Sequence, residues 1–239
     1  QLITFKDPFE GLQNMMNSSK DWLFGYLTYD LKNKIEKLSS NNTDHLAFPD
    51  IHFFIPSIVI IVKNNSVEII YEPSYSSMEI DDLYDKICAS SFIKESIPEI
   101  KVKPKVDKED YIRNVNIIKK HLQAGDIYEM NYCQEFYADN VDLDPFILFE
   151  KLNRVAKAPF SSLYRINDNF CLCASPERYL KKEGNEIISQ PIKGTIKKIK
   201  NRILDLDNKN KLLNSTKDIS ENIMIVDLVR NDLSRIAAK

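Results

Sequence analysis

The chain has 239 residues, of which 43% are hydrophobic and 28% charged, and its formal net charge is −2. That composition is ordinary for a soluble globular protein of one large domain or two small ones. The near-balanced charge gives no argument for nucleic acid or an anionic membrane surface, and no apolar run approaches the roughly 18–20 residues that span a bilayer.

In chain order, the first regular feature is a hairpin over residues 53–72. An apolar run ends Ile58-Val59-Ile60-Ile61-Val62, a Lys63-Asn64-Asn65-Ser66 turn follows, and Val67-Glu68-Ile69-Ile70-Tyr71 returns. The longest apolar run, Ile55 to Val62, contains Pro56 and Ser57 and is expected to be a buried strand. A helix is expected from about Glu79 to Phe92. Lys94 to Asp107, with two prolines and several lysines, is expected to be a linker. The next helix begins near Asp107, with Asp110 in a capping-box position. Its apolar face is Tyr111, Val115, Ile118 and Leu122, and Gly125 stands where a C-cap belongs.

After Gly125 the period changes. Ile127 to Tyr137 alternates as a strand would, placing Glu129, Asn131 and Cys133 on one face. Asp144-Pro145 starts another helix, aspartate as N-cap and proline at the first helical position, with Phe149, Leu152 and Val155 as its face. Strands near 160–166 and 170–175 are joined by an Asn-Asp-Asn turn. A second hairpin runs from Tyr179 through Lys182-Glu183-Gly184-Asn185 to Gln190. A long helix starts at Ser215 with Asp218 three residues on. Helices interleaved with antiparallel hairpins make the class α+β.

Residue usage removes several chemistries. The five glycines, about a third of the ordinary share of about 7%, form neither a Gly-x-Gly-x-x-Gly turn nor a phosphate-cradling loop. His45, His52 and His121 are scattered, and His121 is expected on the surface of its helix. Cys88, Cys133, Cys171 and Cys173 lack the paired spacing of a zinc site, so reduced cytoplasmic thiols are the simplest reading. No signal-peptide pattern is visible, although the sequence starts at Gln1 and a processed or trimmed start stays open.

Two clusters carry candidate chemistry. The first pairs Ser175-Pro176-Glu177-Arg178 with Gln190-Pro191-Ile192-Lys193-Gly194-Thr195. A carboxylic acid and an amine on neighbouring strands form a candidate acid–nucleophile pair. The bland alternative is that Lys193, like Lys181, Lys182, Lys197, Lys198 and Lys200, is a solvated lysine. Pro191, Ile192 and Gly194 around it suit a tight, ordered backbone instead. The second cluster is Asp218 and Glu221, three apart on one helix face. Two such carboxylates suit a hard divalent ion that keeps several waters, or form a solvated acidic edge at a helix N-terminus. Asp227, Arg230, Asn231 and Asp232 further along could be an internal ion-pair network.

Four segments in order resemble the chorismate-utilising enzyme family. They are Gly125-Asp126-Ile127-Tyr128-Glu129-Met130-Asn131, the Ser175 to Arg178 cluster, the Gln190 to Thr195 cluster, and Glu221-Asn222-Ile223-Met224-Ile225-Val226-Asp227-Leu228 continuing to Arg230-Asn231-Asp232. Together they cover roughly 110–239. Phe24-Gly25-Tyr26-Leu27-Thr28-Tyr29-Asp30 resembles the family's N-terminal region more loosely.

The resemblance implies a division into an N-terminal region, 1–103, and the first part of a chorismate-binding catalytic domain, 104–239. It implies chorismate as substrate, Mg²⁺ as cofactor and a glutamine amidotransferase subunit as ammonia source, with no nucleic acid or membrane partner and a cytoplasmic location. Lys193 separates branches: the anthranilate-forming branch usually has alanine there, and lysine is typical of the branch that makes aminodeoxychorismate for para-aminobenzoate and folate. In that branch Lys193 is the implied nucleophile at C2 of the chorismate ring. Glu177 is the implied acid for the departing C4 hydroxyl, Glu129, Asn131, Gly194 and Thr195 are the implied substrate-binding residues, and Glu221 and Asp218 the implied metal ligands.

Three features depart from the family pattern. Glu129 stands where ammonia-adding relatives usually have glutamine and water-adding relatives a lysine; a carboxylate there could disfavour an anionic substrate or orient ammonium. Ser234 replaces a common glycine. The sequence ends at Lys239, whereas family members continue for nearly as long again, so the 239-residue polypeptide is expected to be inactive alone. The alternatives are an anthranilate synthase or a non-catalytic half-domain that acts as a binding module.

Overall fold

The computed structural model describes residues 5–91 and 97–237. Phe92, where the second predicted helix ends, and Lys94 to Ser96 of the expected linker lie outside them. Contacts divide the chain into two units, 1–93 and 94–239.

In the first unit, helix α1 (Pro8–Ser18) is capped by Asp7, whose side chain accepts from the Phe9 and Glu10 N–H groups, with Pro8 at the first helical position. Strand β1 (Phe24–Leu27) pairs antiparallel with β2 (Ile51–Phe54), and a 3₁₀ helix, Tyr29–Lys34, lies between them in sequence. The predicted hairpin forms β3 (Ile58–Lys63) and β4 (Ser66–Tyr71), in register from Ile58↔Tyr71 to Lys63↔Ser66. Asn64 adopts positive φ in its turn. Helix α2 (Ser77–Ala89) has a complete capping box between Ser76 and Glu79. Two contacts to Ser76, first its backbone N–H and then its hydroxyl, hold the Glu79 carboxyl below its ordinary value.

In the second unit, the short strands β5 (Lys103–Pro104) and β6 (Phe136–Tyr137) pair antiparallel. Helix α3 (Lys108–Ala124) runs from the Asp107 cap to Gly125, which takes the left-handed conformation at φ 80°. Helix α4 (Pro145–Ala156) is capped by Asp144. Strands β7 (Phe160–Ile166) and β8 (Asn169–Ser175) form the longest ladder, and β9 (Lys181–Glu183) and β10 (Glu186–Ile188) a smaller one. Helices α5 (Arg202–Leu213) and α6 (Thr216–Ser234) follow. The class is α+β, with five two-stranded antiparallel sheets among the described residues.

Three expectations are corrected here. Ile127 to Glu135 is irregular, and only Phe136 and Tyr137 form strand. Alternation alone does not make a strand: the backbone groups need a neighbouring ladder, and this segment has one only opposite Lys103 and Pro104. The run through Ile58 is a strand but not a buried one, since Val62 is 71% exposed. The packed side of α4 is centred on Ile147, which is buried, while Val155 is 86% exposed. Phe146 on that helix meets Phe170 of β8 edge-on at 5.8 Å, so the N-terminal end of α4 is the packed end.

Burial is sparse throughout. Leu31, Ile80 and Ile147 are the buried hydrophobic residues among those described. The chain exposes 20479 Å², whereas a folded monomer of this length exposes about 11,000 Å² and two separate domains of these lengths together about 13,000 Å². Both units therefore present exposed apolar side chains, among them Val62 in the first and Val155 in the second. All four cysteines are free thiols. Burial, and then the neighbouring Cys173, pushes the Cys171 thiol above its ordinary range.

Candidate active site

The β7–β8 ladder delivers the first candidate residue. At its end the Ser175 hydroxyl donates to the Glu177 carbonyl oxygen at 3.0 Å and accepts from the Glu177 N–H at 3.3 Å. This tight local closure ends the strand and leaves Glu177 half-buried. Its Oε2 accepts the Ile192 N–H at 3.1 Å. The candidate acid is thus bonded to the backbone one residue before the candidate nucleophile, Lys193. Beside Glu177, the Arg178 guanidinium lies 4.9 Å over the Phe160 ring, and its buried Nε has no hydrogen-bond partner among the described residues.

The lysine loop is pinned on both sides. Upstream, the Ser189 hydroxyl donates to the Tyr179 carbonyl at 2.9 Å. Downstream, Asn208 Nδ2 donates to the Lys197 carbonyl at 2.8 Å and the Ile199 N–H donates to Asp205 Oδ1 at 2.8 Å. Both downstream partners lie on α5, a helix the sequence reading missed. The signal for it was present, since Asn201 caps the helix by accepting from the Ile203 and Leu204 N–H groups. Within the loop Lys193 and Gly194 are half-buried and Thr195 is exposed.

Gly194 brings the loop against α6. It has φ 77°, and a Cβ added there would lie 2.7 Å from Asp218 Cβ and 2.9 Å from both Asp218 Cγ and Oδ1. Asp218 occupies the first turn of α6, where its N–H donates to the Ser215 hydroxyl at 3.3 Å, and the positive end of the helix dipole favours a carboxylate. Glu221 follows nearly one turn on and is exposed. Further along, Arg230 donates to Asp227 Oδ1 at 2.7 Å, an ion pair internal to the helix.

The structure therefore brings Glu177, the backbone beside Lys193, Gly194 and Asp218 into one continuous set of contacts. No hydrogen bond or ion pair among the described residues joins Glu129, Asn131, Thr195 or Glu221 to it. Glu129 and Asn131 are exposed on the irregular segment after α3. That segment is anchored next to them: Asn114 Nδ2 donates to the Tyr132 hydroxyl at 2.7 Å, the Tyr111 and Tyr132 rings stack at 5.0 Å, and Gln134 Nε2 donates to the Val106 carbonyl at 2.6 Å. These anchors were invisible in the sequence because each joins residues 18 or more apart.

No group of three histidine, cysteine, aspartate or glutamate side chains suited to a metal occurs among the described residues. Asp218 and Glu221 offer two carboxylates. That donor set fits Mg²⁺, which takes one or two carboxylates and retains water, better than an ion that needs a closed protein cage.

The profile of the family described as chorismate binding enzyme matches residues 4–239. The chain belongs to the chorismate binding enzyme family. Within that family it is 32% identical over 220 residues to an anthranilate synthase component I-like protein of Synechocystis, an alignment spanning 90% of this chain and 44% of the relative. It is 31% identical over 216 residues to aminodeoxychorismate synthase component 1 of Klebsiella aerogenes, spanning 89% of this chain and 47% of the relative. The crystal structure of anthranilate synthase component I from Streptococcus pneumoniae superposes with a TM-score of 0.81 at 20% identity, covering 98% of this chain and 56% of that one. At that identity the likeness establishes a shared fold. The chain spans about half the length of the curated relatives it matches. No helix among the described residues is long and apolar enough to cross a membrane.

Proposed function

We propose that this chorismate binding enzyme is the aminating component of an aminodeoxychorismate synthase, which converts chorismate and ammonia to 4-amino-4-deoxychorismate. In this reading 1–103 is the N-terminal region and 104–239 the first part of the catalytic domain. The observation that carries it is the Glu177–Ile192 hydrogen bond, which ties a carboxyl group to the loop bearing Lys193.

The chemistry divides between those two residues. The neutral Lys193 amine forms a C–N bond at C2 of the ring, both ring double bonds shift toward C4, and the C4–O bond breaks. Hydroxide is a poor leaving group, so Glu177 delivers a proton to that oxygen and water departs. Ammonia then adds at C4, both double bonds shift back, the lysine leaves C2 as a free amine, and the new C4 ammonium returns a proton to Glu177. Asp218 and Glu221 would hold Mg²⁺, with Glu221 as direct ligand and Asp218 bound directly or through water. When bound, the ion would neutralise the ring carboxylate of the substrate. Glu129, Asn131, Gly194 and Thr195 would line the substrate. The relatives' names, each a "component", support a partner subunit, and a glutamine amidotransferase supplying ammonia fits the reaction. Such a biosynthetic pair would work in the cytoplasm.

Anthranilate synthase is the second reading, favoured by the Synechocystis relative. Lys193 stands against it. The deciding experiment incubates the full-length protein carrying this sequence with chorismate, an ammonium salt and Mg²⁺, and identifies the product by chromatography and mass. 4-Amino-4-deoxychorismate supports the proposal, and anthranilate overturns it.

A further inference from the structure

Three glycines in this chain adopt positive φ: Gly125 at 80°, Gly184 at 58° and Gly194 at 77°. A Cβ at Gly125 or Gly184 would meet nothing within 4 Å. Backbone conformation alone accounts for glycine at those two places. It does not account for Gly194. The chain meets the same conformational demand with asparagine at Asn64, Asn140 and Asn167, yet any side chain at position 194 would run into Asp218. The nearest atom is Asp218 Cβ at 2.7 Å, next to the helix backbone, so a rotamer change of the carboxylate would not relieve the overlap.

We infer that Gly194 is a positioning residue: its bare Cα seats the lysine loop directly on the first turn of α6, and this contact fixes the place of the Asp218 carboxylate. The loop that carries Lys193 and the helix that carries the acidic pair then move as one unit. Upstream, the Ile192 N–H bond to Glu177 extends the unit to the end of β8. Acid, amine and carboxylate are thereby held in mutual register by one short turn. The functional consequence rests on the Mg²⁺ reading of Asp218; the contact itself does not.

The test uses the full-length protein carrying this sequence, with Mn²⁺ as a spectroscopic stand-in for Mg²⁺. Free Mn²⁺ is counted by electron paramagnetic resonance, and thermal midpoints are recorded beside it. Gly194→Asn tolerates the backbone conformation but adds a Cβ, and Gly125→Asn is the control for conformation alone. The expected result is Mn²⁺ affinity about 10–100-fold weaker in Gly194→Asn, the range typical of losing a supporting group around a metal, and unchanged in Gly125→Asn. The second arm combines Gly194→Asn with Asp218→Gly, which removes the obstructing side chain. Part of the thermal midpoint lost in the single Gly194 variant should return. If Gly194→Asn fails to fold, folding of the double variant is the same coupling in stronger form. Gly194→Asn with wild-type affinity and midpoint overturns the inference. So do strictly additive midpoint losses in the double variant, or failure of the double variant to fold. If wild type binds no Mn²⁺ with or without chorismate, the metal reading falls, and the thermal cycle still decides the Gly194–Asp218 contact.

Discussion

Glu177 accepts the backbone N–H of Ile192 at 3.1 Å. A side chain at the end of one ladder thus fixes the residue that precedes the candidate nucleophile. On the proposed mechanism the bond gives Glu177 two separable jobs, since one oxygen holds the loop while the carboxyl group as a whole would serve as the acid.

Those jobs come apart in two variants. Glu177→Gln keeps an oxygen able to accept from Ile192 and cannot supply the proton. The expected outcome is a near wild-type thermal midpoint with turnover down by about 10²–10⁴-fold, the usual worth of a positioned general acid. Glu177→Ala should lose turnover and also lower the midpoint. Steady-state kinetics beside calorimetry checks both, and a Glu177→Gln enzyme with normal turnover removes the residue from the chemistry.

The acidic pair on α6 predicts an order of effects. In the proposed site, with Asp218 acting through water, Glu221→Gln should weaken Mg²⁺-dependent substrate binding more than Asp218→Asn, because a direct ligand costs more to neutralise than an outer one, where losses are commonly about 10–100-fold. Titrating activity against Mg²⁺ for the two variants gives the order. An unchanged Mg²⁺ dependence in Glu221→Gln would remove that residue from the site.

The sparse burial predicts behaviour of the 239-residue polypeptide by itself. With Val62 and Val155 largely exposed and three buried hydrophobic residues among those described, it should bind an apolar dye and form no aminodeoxychorismate from ammonia and chorismate. Detectable product from a preparation of verified mass would contradict this.

The capping box of α2 carries a pH prediction. Ser76, through its N–H and then its hydroxyl, holds the Glu79 carboxyl below its ordinary value. A depressed folded-state value means the stabilisation is fully present above the unfolded glutamate value of about 4.3. It fades as pH falls through the lower folded value. Glu79→Gln should flatten that part of the stability–pH profile, measured by chemical denaturation from pH 6 downward in about half-unit steps. An unchanged profile would show that the box does not titrate with folding.

Much of this was legible in the sequence because helix caps are local. Asp107 with Gly125, Asp144 with Pro145, and Ser215 with Asp218 each mark an end within a few residues, and the structure uses all of them. The same Asp-Pro signal at Asp7-Pro8 went unread, and α1 was missed. The pairing of Phe24–Leu27 with Ile51–Phe54 carries no turn signal, because the two strands are separated by a 3₁₀ helix and a long connection. Ile127 to Tyr137 shows the opposite failure, a strand-like pattern with almost no ladder to join. In the site, the residue types on the Glu177 and Lys193 segments were legible. That Glu177 meets Ile192, and that Gly194 meets Asp218, was not, since spacing says nothing about which turn folds back on which helix.

The central claim is that Lys193 is the nucleophile, and mass spectrometry tests it most directly. The full-length protein carrying this sequence is mixed with chorismate and Mg²⁺ without ammonia, quenched and digested. The account predicts a covalent adduct on the peptide containing Lys193, absent in Lys193→Ala, a variant that slows amination without having to abolish it because ammonia can attack directly. An adduct on Lys197 or Lys198, or no adduct in the wild type, would contradict it.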